Sequence, residues 1–237
     1  MAETRFGALN PRKRDADADR AGWSRWDTPG RTIYGGTTAV AAFAEVIEYI
    51  DPAPAQSPMT DLFDDVESTD ALTLDGQIAT ELPAECGAMP YKSISKGWRE
   101  MRTLYELALP PDGWFVDVTG AYSVATIGHD LAAFLRGHGI EQLTLSELTD
   151  SRQERKAVTT GIAEWIRHEV VLDDGSVPHG IYYLSKWGAD MAAWAMWLRR
   201  RDDGLGADPL SVVEELPIGV HTRPLVEAAR LRGMTVY

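Results

Sequence analysis

Residues 25–34 read RWDTPGRTIY, and residues 35–50 continue GGTTAVAAFAEVIEYI. Thr28-Pro29-Gly30 is a turn signal, because proline presets φ and glycine accepts conformations other residues avoid. The run Arg31–Tyr34 that follows is β-branched and aromatic, which predicts a strand. Gly35 and Gly36 permit a tight backbone, and Thr37 or Thr38 supplies a capping hydroxyl for the next element. Apolar residues at 40, 43, 44, 47 and 50 recur at helical spacing. Asp51-Pro52 then stops the helix. The stretch predicts strand–turn–helix, with Arg25 and Arg31 flanking the leading turn.

Outward from this unit the pattern is mixed. Residues 4–9 (TRFGAL) predict a short strand, and the polar, aperiodic residues 10–22 a loop. Residues 51–75 are rich in Pro, Asp, Ser and Thr and read as a surface insertion, with TDLFDDV at 60–66 at most a short helix. The insertion extends to about residue 110 and carries a helix from about Gly97 to residue 108. WFVDVT at 114–119 reads as a buried strand, and 126–139 as a helix stopped by Gly137 or Gly139. LTLSELT at 143–149 reads as extended. A long helix capped by Asp150 or Ser151 follows to about His168, with Val158, Ile162, Trp165 and Ile166 inward. HGIYYLS at 179–185 predicts a strand, DMAAWAMWLRRR at 190–201 a helix, LPIGVHT at 216–222 a strand and RPLVEAARLRG at 223–233 a helix. Strands and helices are not evenly interleaved, and no G-x-G-x-x-G or P-loop is present. A Rossmann-type sheet is therefore disfavoured against a single mixed α+β domain spanning 1–237.

Composition narrows the function classes. The chain has 237 residues, 44% of them hydrophobic, so a substantial core is expected. Its net charge of −13 argues against a nucleic-acid-binding face. The one cysteine, Cys86, excludes an internal disulfide and a cysteine-rich zinc site, and no base stands near it to make it a nucleophile. The first residues lack an apolar h-region, and no run is long enough to span a membrane, so a cytoplasmic protein is expected. The histidines, at 129, 138, 168, 179 and 221, form no ligand motif, so no metal is expected. No G-x-S-x-G occurs, and carboxylates are too abundant for any pair to stand out.

Five residues remain as candidates: Arg5, Arg25, Tyr34, Glu45 and Ser185. Each has a plain structural explanation. Arg5 fits a surface strand, Arg25 a braced turn, Tyr34 a core edge and Ser185 a strand end. Glu45 lies off the face made by 40, 43, 44 and 47, which fits a solvated helix flank.

The order of these residues resembles the RES domain family. Arg25-Trp26-Asp27 and Gly30 match that family's Arg-Trp-Asn/Asp-x-x-Gly turn, Tyr34 its strand end, and Ala42 to Glu45 its Ala-x-x-Glu helix. Asp27 stands where asparagine is commoner. Arg5-Phe6 resembles the upstream arginine. TLSELTDSRQERKAVTTGIAEWI and GIYYLSKWGADMAAWAMW resemble two later blocks, the second of which supplies the serine, Ser185. The matches cover about half the chain.

The resemblance implies an ADP-ribosyltransferase-like fold and a toxin of a toxin–antitoxin pair that consumes NAD+. The activity implied is NAD+ glycohydrolysis or phosphorolysis, with protein ADP-ribosylation as an alternative and a non-catalytic interaction protein as another. It implies NAD+ as substrate with no further cofactor, an antitoxin as a partner, and in many members a homodimer. The residue types suit that chemistry. Arg5 and Arg25, with Arg31 a weaker third, offer planar donor forks for a pyrophosphate. Tyr34 offers a face for the cationic nicotinamide ring. Glu45 stabilises charge developing on the ribose, and Ser185 bonds the ribose or orients the glutamate.

Overall fold

The computed structural model describes residues 1–47, 92–150 and 153–237. The expectations for residues 51–91, including the insertion there and Cys86, lie outside the described residues, as does Ser151. The described residues form an α+β structure with three small sheets and eight α-helices.

The opening stretch folds as its local chemistry dictates. The strand β2 is Thr32–Gly36 and the helix α1 is Ala39–Ile47. The Thr38 hydroxyl accepts from the Ala41 N–H at 3.1 Å, capping α1. Gly36 lets the two elements meet: a Cβ there would lie 2.5 Å from the Ala42 nitrogen and 2.9 Å from the Thr38 carbonyl oxygen. Strand end and helix start are thus held in backbone contact, which fixes where the α1 side chains point.

In the largest sheet, β2 pairs antiparallel with β7 (Gly188–Trp197) and β7 antiparallel with β6 (Gly180–Ser185). The strand β5 (Phe115–Asp117) then pairs parallel with β6. Its inner face packs Trp26, Ile181, Tyr183, Ala193, Ala195 and Trp197 against two helices, α3 (Ala121–Asp130) and α6 (Gln153–Glu169). On α6, Val158, Ile162 and Ile166 are buried and Trp165 is partly buried against them, the inward stripe the spacing predicts. A second sheet, β1-β4-β8, comprises Ala2–Glu3, Arg102–Ala108 and Ser211–Pro217, all antiparallel. Two short parallel strands, β3 (Ser93–Ile94) and β9 (Thr235–Val236), close a separate core where α1 meets α8 (Arg223–Leu231) around Phe43, Ile47, Ile94, Trp98 and Leu225.

Several elements differ from the sequence expectation, each for a physical reason. Residues 190–201 are not one helix: 188–197 form β7, and only α7 (Arg199–Asp202) is helical. Ala193, Ala195 and Trp197 face one cluster and Trp194 and Met196 another, and a strand buried on both faces reads as a continuous apolar run. Residues 97–108 hold only the short helix α2 (Lys96–Glu100) before β4 begins. Ile94, Trp98 and Leu104 are core residues, so this part of the 51–110 stretch packs into the body of the fold. Residues 4–7 make turns, and the strand precedes them.

LTLSELT is not extended, because Thr144 and Glu147 form a capping box that starts α5 (Leu145–Thr149). The helix expected over 126–139 is two, α3 and α4 (Ala132–Gly137), and Gly139 leaves it at φ +71°. The strand placed at 216–222 lies earlier, since Gly219 and Thr222 close a turn. Among the described residues no helix is long and apolar enough to cross a membrane.

Candidate active site

The turn before β2 is pinned at its apex. Gly30 sits at φ +111° and exchanges two backbone hydrogen bonds with Arg14, at 2.7 and 2.8 Å. Asp27, only 4% exposed, is the hub beside it. Its Oδ2 accepts from the Arg14 Nε–H and the Ser24 N–H, both at 2.9 Å, and its Oδ1 accepts from the Tyr34 hydroxyl at 3.0 Å. That hydroxyl in turn accepts from the Trp26 N–H at 3.0 Å. Burial first, and then the Asp27 carboxylate, push the Tyr34 phenol well above its ordinary pKa. Tyr34 is therefore a neutral phenol whose hydroxyl is committed, which leaves its ring as the part free to serve a ligand.

Beside that ring a cavity opens, enclosing about 950 Å³ including the space it shares with solvent. Its walls bring together Arg25, Tyr34 and Glu45, with Gly35, Gly36 and Tyr183 between them. The Arg25 Nη1 donates to the Thr149 carbonyl at 2.8 Å and to the Leu148 carbonyl at 3.3 Å, and its guanidinium lies 5.0 Å from the Tyr183 ring centre. The α5 turn and an aromatic face thus hold the arginine while the rest of its donor fork stays uncommitted among the described residues.

Glu45 projects from α1 into the same cavity. Its Oε1 is buried and accepts no hydrogen bond among the described residues. A buried carboxylate oxygen without a donor costs about 1–3 kcal/mol or more, which marks this oxygen as a candidate ligand contact. Two further cations line the cavity, Lys156 from α6 and Lys186 from the turn between β6 and β7.

Two candidates lie apart from this convergence. Arg5 is 73% exposed, paired with Glu3 at 2.8 Å and stacked over Phe6, and it is absent from the cavity wall. The β1 strand ends before it, so the chain carries it outward. Ser185 is buried at the end of β6, where its hydroxyl accepts from the Trp187 N–H at 3.1 Å and shapes the turn. It does not line the cavity either, although Tyr183, two residues earlier on the same strand face, does.

Arg31 has a different occupation. Its Nη1 and backbone N–H each reach Asp202 at 2.7 Å, and Arg167 reaches the same carboxylate at 3.4 Å. It also lines a neighbouring groove together with Arg12 and Lys13.

The residues missed from sequence are Lys156, Lys186 and Tyr183. Tyr183 carried a signal, since β alternation sets it on the face of Ile181. The lysines carried none, because only the packing of α6 and the β6–β7 turn against β2 brings them near Glu45.

No protein-family model, curated protein or solved structure matches the chain.

Proposed function

We propose that the chain cleaves NAD+ at the nicotinamide–ribose bond, as a toxin-like glycohydrolase or phosphorylase with an ADP-ribosyltransferase-like architecture. The observation that carries this is the convergence of Arg25, Tyr34 and Glu45 on one cavity in which the buried Glu45 Oε1 has no donor among the described residues. Those three, from a turn, a strand and a helix, are among the five residues that the motif resemblance singles out, and the other two, Arg5 and Ser185, do not line the cavity.

The geometry suits the chemistry in each part. The Tyr34 ring offers a neutral aromatic face to the cationic nicotinamide. Arg25 supplies part of a donor fork to a phosphate. Glu45, with a vacant acceptor, takes the ribose 2′-hydroxyl or stabilises positive charge at C1′ as the bond breaks. The C1′–N bond electrons leave with nicotinamide, which becomes neutral. An oxygen of water or phosphate forms the new bond to C1′ and gives up its proton. Asp27 acts through Tyr34 and is a positioning residue. Ser185, which shapes the turn carrying Lys186, is another, and Arg5 has no part in the cavity. An antitoxin that blocks this opening belongs to the same proposal.

Purified protein incubated with NAD+, with and without phosphate, is expected to release nicotinamide. Glu45→Gln is expected to stop release while the protein stays folded. Folded wild-type protein that releases none in either buffer overturns the proposal. Label transferred from NAD+ to a protein rather than to a free product reassigns it to ADP-ribosylation.

A further inference from the structure

We infer that the groove between the outer edge of β2 and residues 6–13 binds an extended acidic peptide of a partner protein, which adds to β2 as a further strand. Arg25 and Glu45 are not on the wall of this groove, and the inference does not depend on the NAD+ reading.

The strand β2 stands at one edge of the largest sheet, with β7 as its strand partner among the described residues. The Leu198 N–H donates to the Arg31 carbonyl, and the Thr37 N–H donates to the Ala192 carbonyl. With an unbroken register between them, the odd-numbered residues of this stretch turn their backbone groups toward β7. Alternation turns the N–H and C=O of Thr32 and Tyr34 the other way. On that outer side a ladder begins and stops. Gly30 and Arg14 exchange both backbone hydrogen bonds, and continuing the same antiparallel register would bring Arg12 opposite Thr32. That bond does not form. Pro11 has no N–H to give to a ladder, and residues 10–13 leave the strand edge. Thr32 and Tyr34 are thus without a backbone partner on this side among the described residues. Such an edge is a template for another chain.

The loop that leaves the edge is anchored at both ends. Leu9 packs against the cluster that contains Ile33, and its carbonyl accepts from Arg201 at 2.6 Å. Arg14 is tied to Asp27. Between loop and strand lies a space of about 1090 Å³, including what it shares with solvent. On its wall Thr32 is only 7% exposed, and its Oγ1 is buried with no hydrogen-bond partner. An unmet buried hydroxyl costs about 1–3 kcal/mol, and a polar group of a ligand seated in the groove would meet it.

Charge selects the kind of peptide. Arg12 and Lys13 lie exposed on the same wall, with no hydrogen bond or ion pair among the described residues. The carboxylate on that wall, Glu3, is already taken by Arg5. In a chain of net charge −13 these two cations make a local spot that attracts carboxylates. Phe6, half exposed beside them, offers apolar contact. A strand presents side chains with period two, so a peptide that alternates acidic and apolar residues suits both features.

Fluorescence anisotropy with labelled Glu-Val-Glu-Val-Glu-Val-Glu tests this on the full chain without turnover. The peptide is expected to bind saturably, and its counterpart with lysine for glutamate is not. The Arg12→Gln/Lys13→Gln variant, which changes exposed side chains, is expected to lose tenfold or more in affinity while its urea unfolding curve stays in place. Two further peptides of unchanged charge carry N-methyl groups on the glutamates or on the valines. Because one set of N–H groups faces β2 and the other faces away, one of them is expected to lose tenfold or more and the other to keep its affinity. No binding of the acidic peptide, equal binding of the basic one, an unaffected double variant, or equal effects of the two methylation patterns overturns the inference. A dimer of the free protein, seen by sedimentation and broken by the same double variant, gives the edge to a second copy and overturns it as well.

Discussion

Arg25 and Arg31 flank one Pro-Gly turn, yet the two sides of that turn are built on opposite principles. On the Arg31 side two guanidiniums share one buried carboxylate. Asp202, with a side chain only 4% exposed, meets Arg31 and the equally buried Arg167, and Arg167 also donates to the Thr28 hydroxyl. On the Arg25 side a carboxylate is left without a donor among the described residues, in a cavity that holds three cations. The shared carboxylate locks α7 to the turn, whereas the Glu45 Oε1 is held in a cavity without a donor among the described residues. Residue type did not distinguish the two arginines. The neighbours that use up their donors did.

The sharpest way to break the comparison is on the Arg31 side. Asp202→Ala leaves Arg167 buried without its carboxylate and is expected to cost about 3–5 kcal/mol, read from urea unfolding, with nicotinamide release per folded molecule retained. A loss of turnover without a loss of stability would show that the two sides are not separate.

On the Arg25 side the pattern reverses. Glu45→Gln is expected to lower kcat by about 10²–10³-fold, with stability unchanged or raised, because the buried Oε1 has no donor among the described residues. A clear loss of stability would mean that Glu45 is matched after all.

Gly36→Ala tests the joint between them. Its Cβ would press on the Ala42 nitrogen, so α1 must shift, at a cost of about 1–3 kcal/mol, and Glu45 moves with it. Turnover is expected to fall more than stability alone explains, when measured below the unfolding transition.

The smallest effect is expected from Tyr34→Phe, which removes the hydroxyl between the Trp26 N–H and Asp27. The loss is about 1–2 kcal/mol, with turnover largely kept if the ring face is what serves the ligand. The same variant carries a pH signature. In wild type the folded state holds the phenol proton more tightly than the unfolded chain does. That contribution is complete below the ordinary phenol value of 10.0 and is lost as pH rises above it. Unfolding curves taken from neutral pH into that alkaline range should fall more steeply for wild type than for Tyr34→Phe.

What was legible in the chain was what local chemistry controls. The Pro-Gly turn, β2, α1 and the inward stripe of α6 followed from turn residues, capping hydroxyls and period. The β7 strand did not, because both its faces are buried and its alternation is masked by continuous apolar residues. The β4 strand did not, because residues 97–108 begin with a true helical turn, and its strand character depends on β1 and β8 lying on either side. The capping box at Thr144 and Glu147 was present in the sequence and outweighed by the β-like look of LTLSELT.

The candidate site divides the same way. Arg25, Tyr34 and Glu45 were singled out by the motif resemblance; spacing alone made Glu45 a solvated helix flank, whereas its Oε1 is buried. By itself the sequence determined the strand–turn–helix unit that carries these three, because each of its steps is set by residues within a few positions. Tertiary structure alone decided that Arg31 is consumed by Asp202 and that Lys156 and Lys186 join the cavity. Those outcomes depend on elements more than a hundred residues away, and charge matching between distant side chains leaves no period or spacing along the chain.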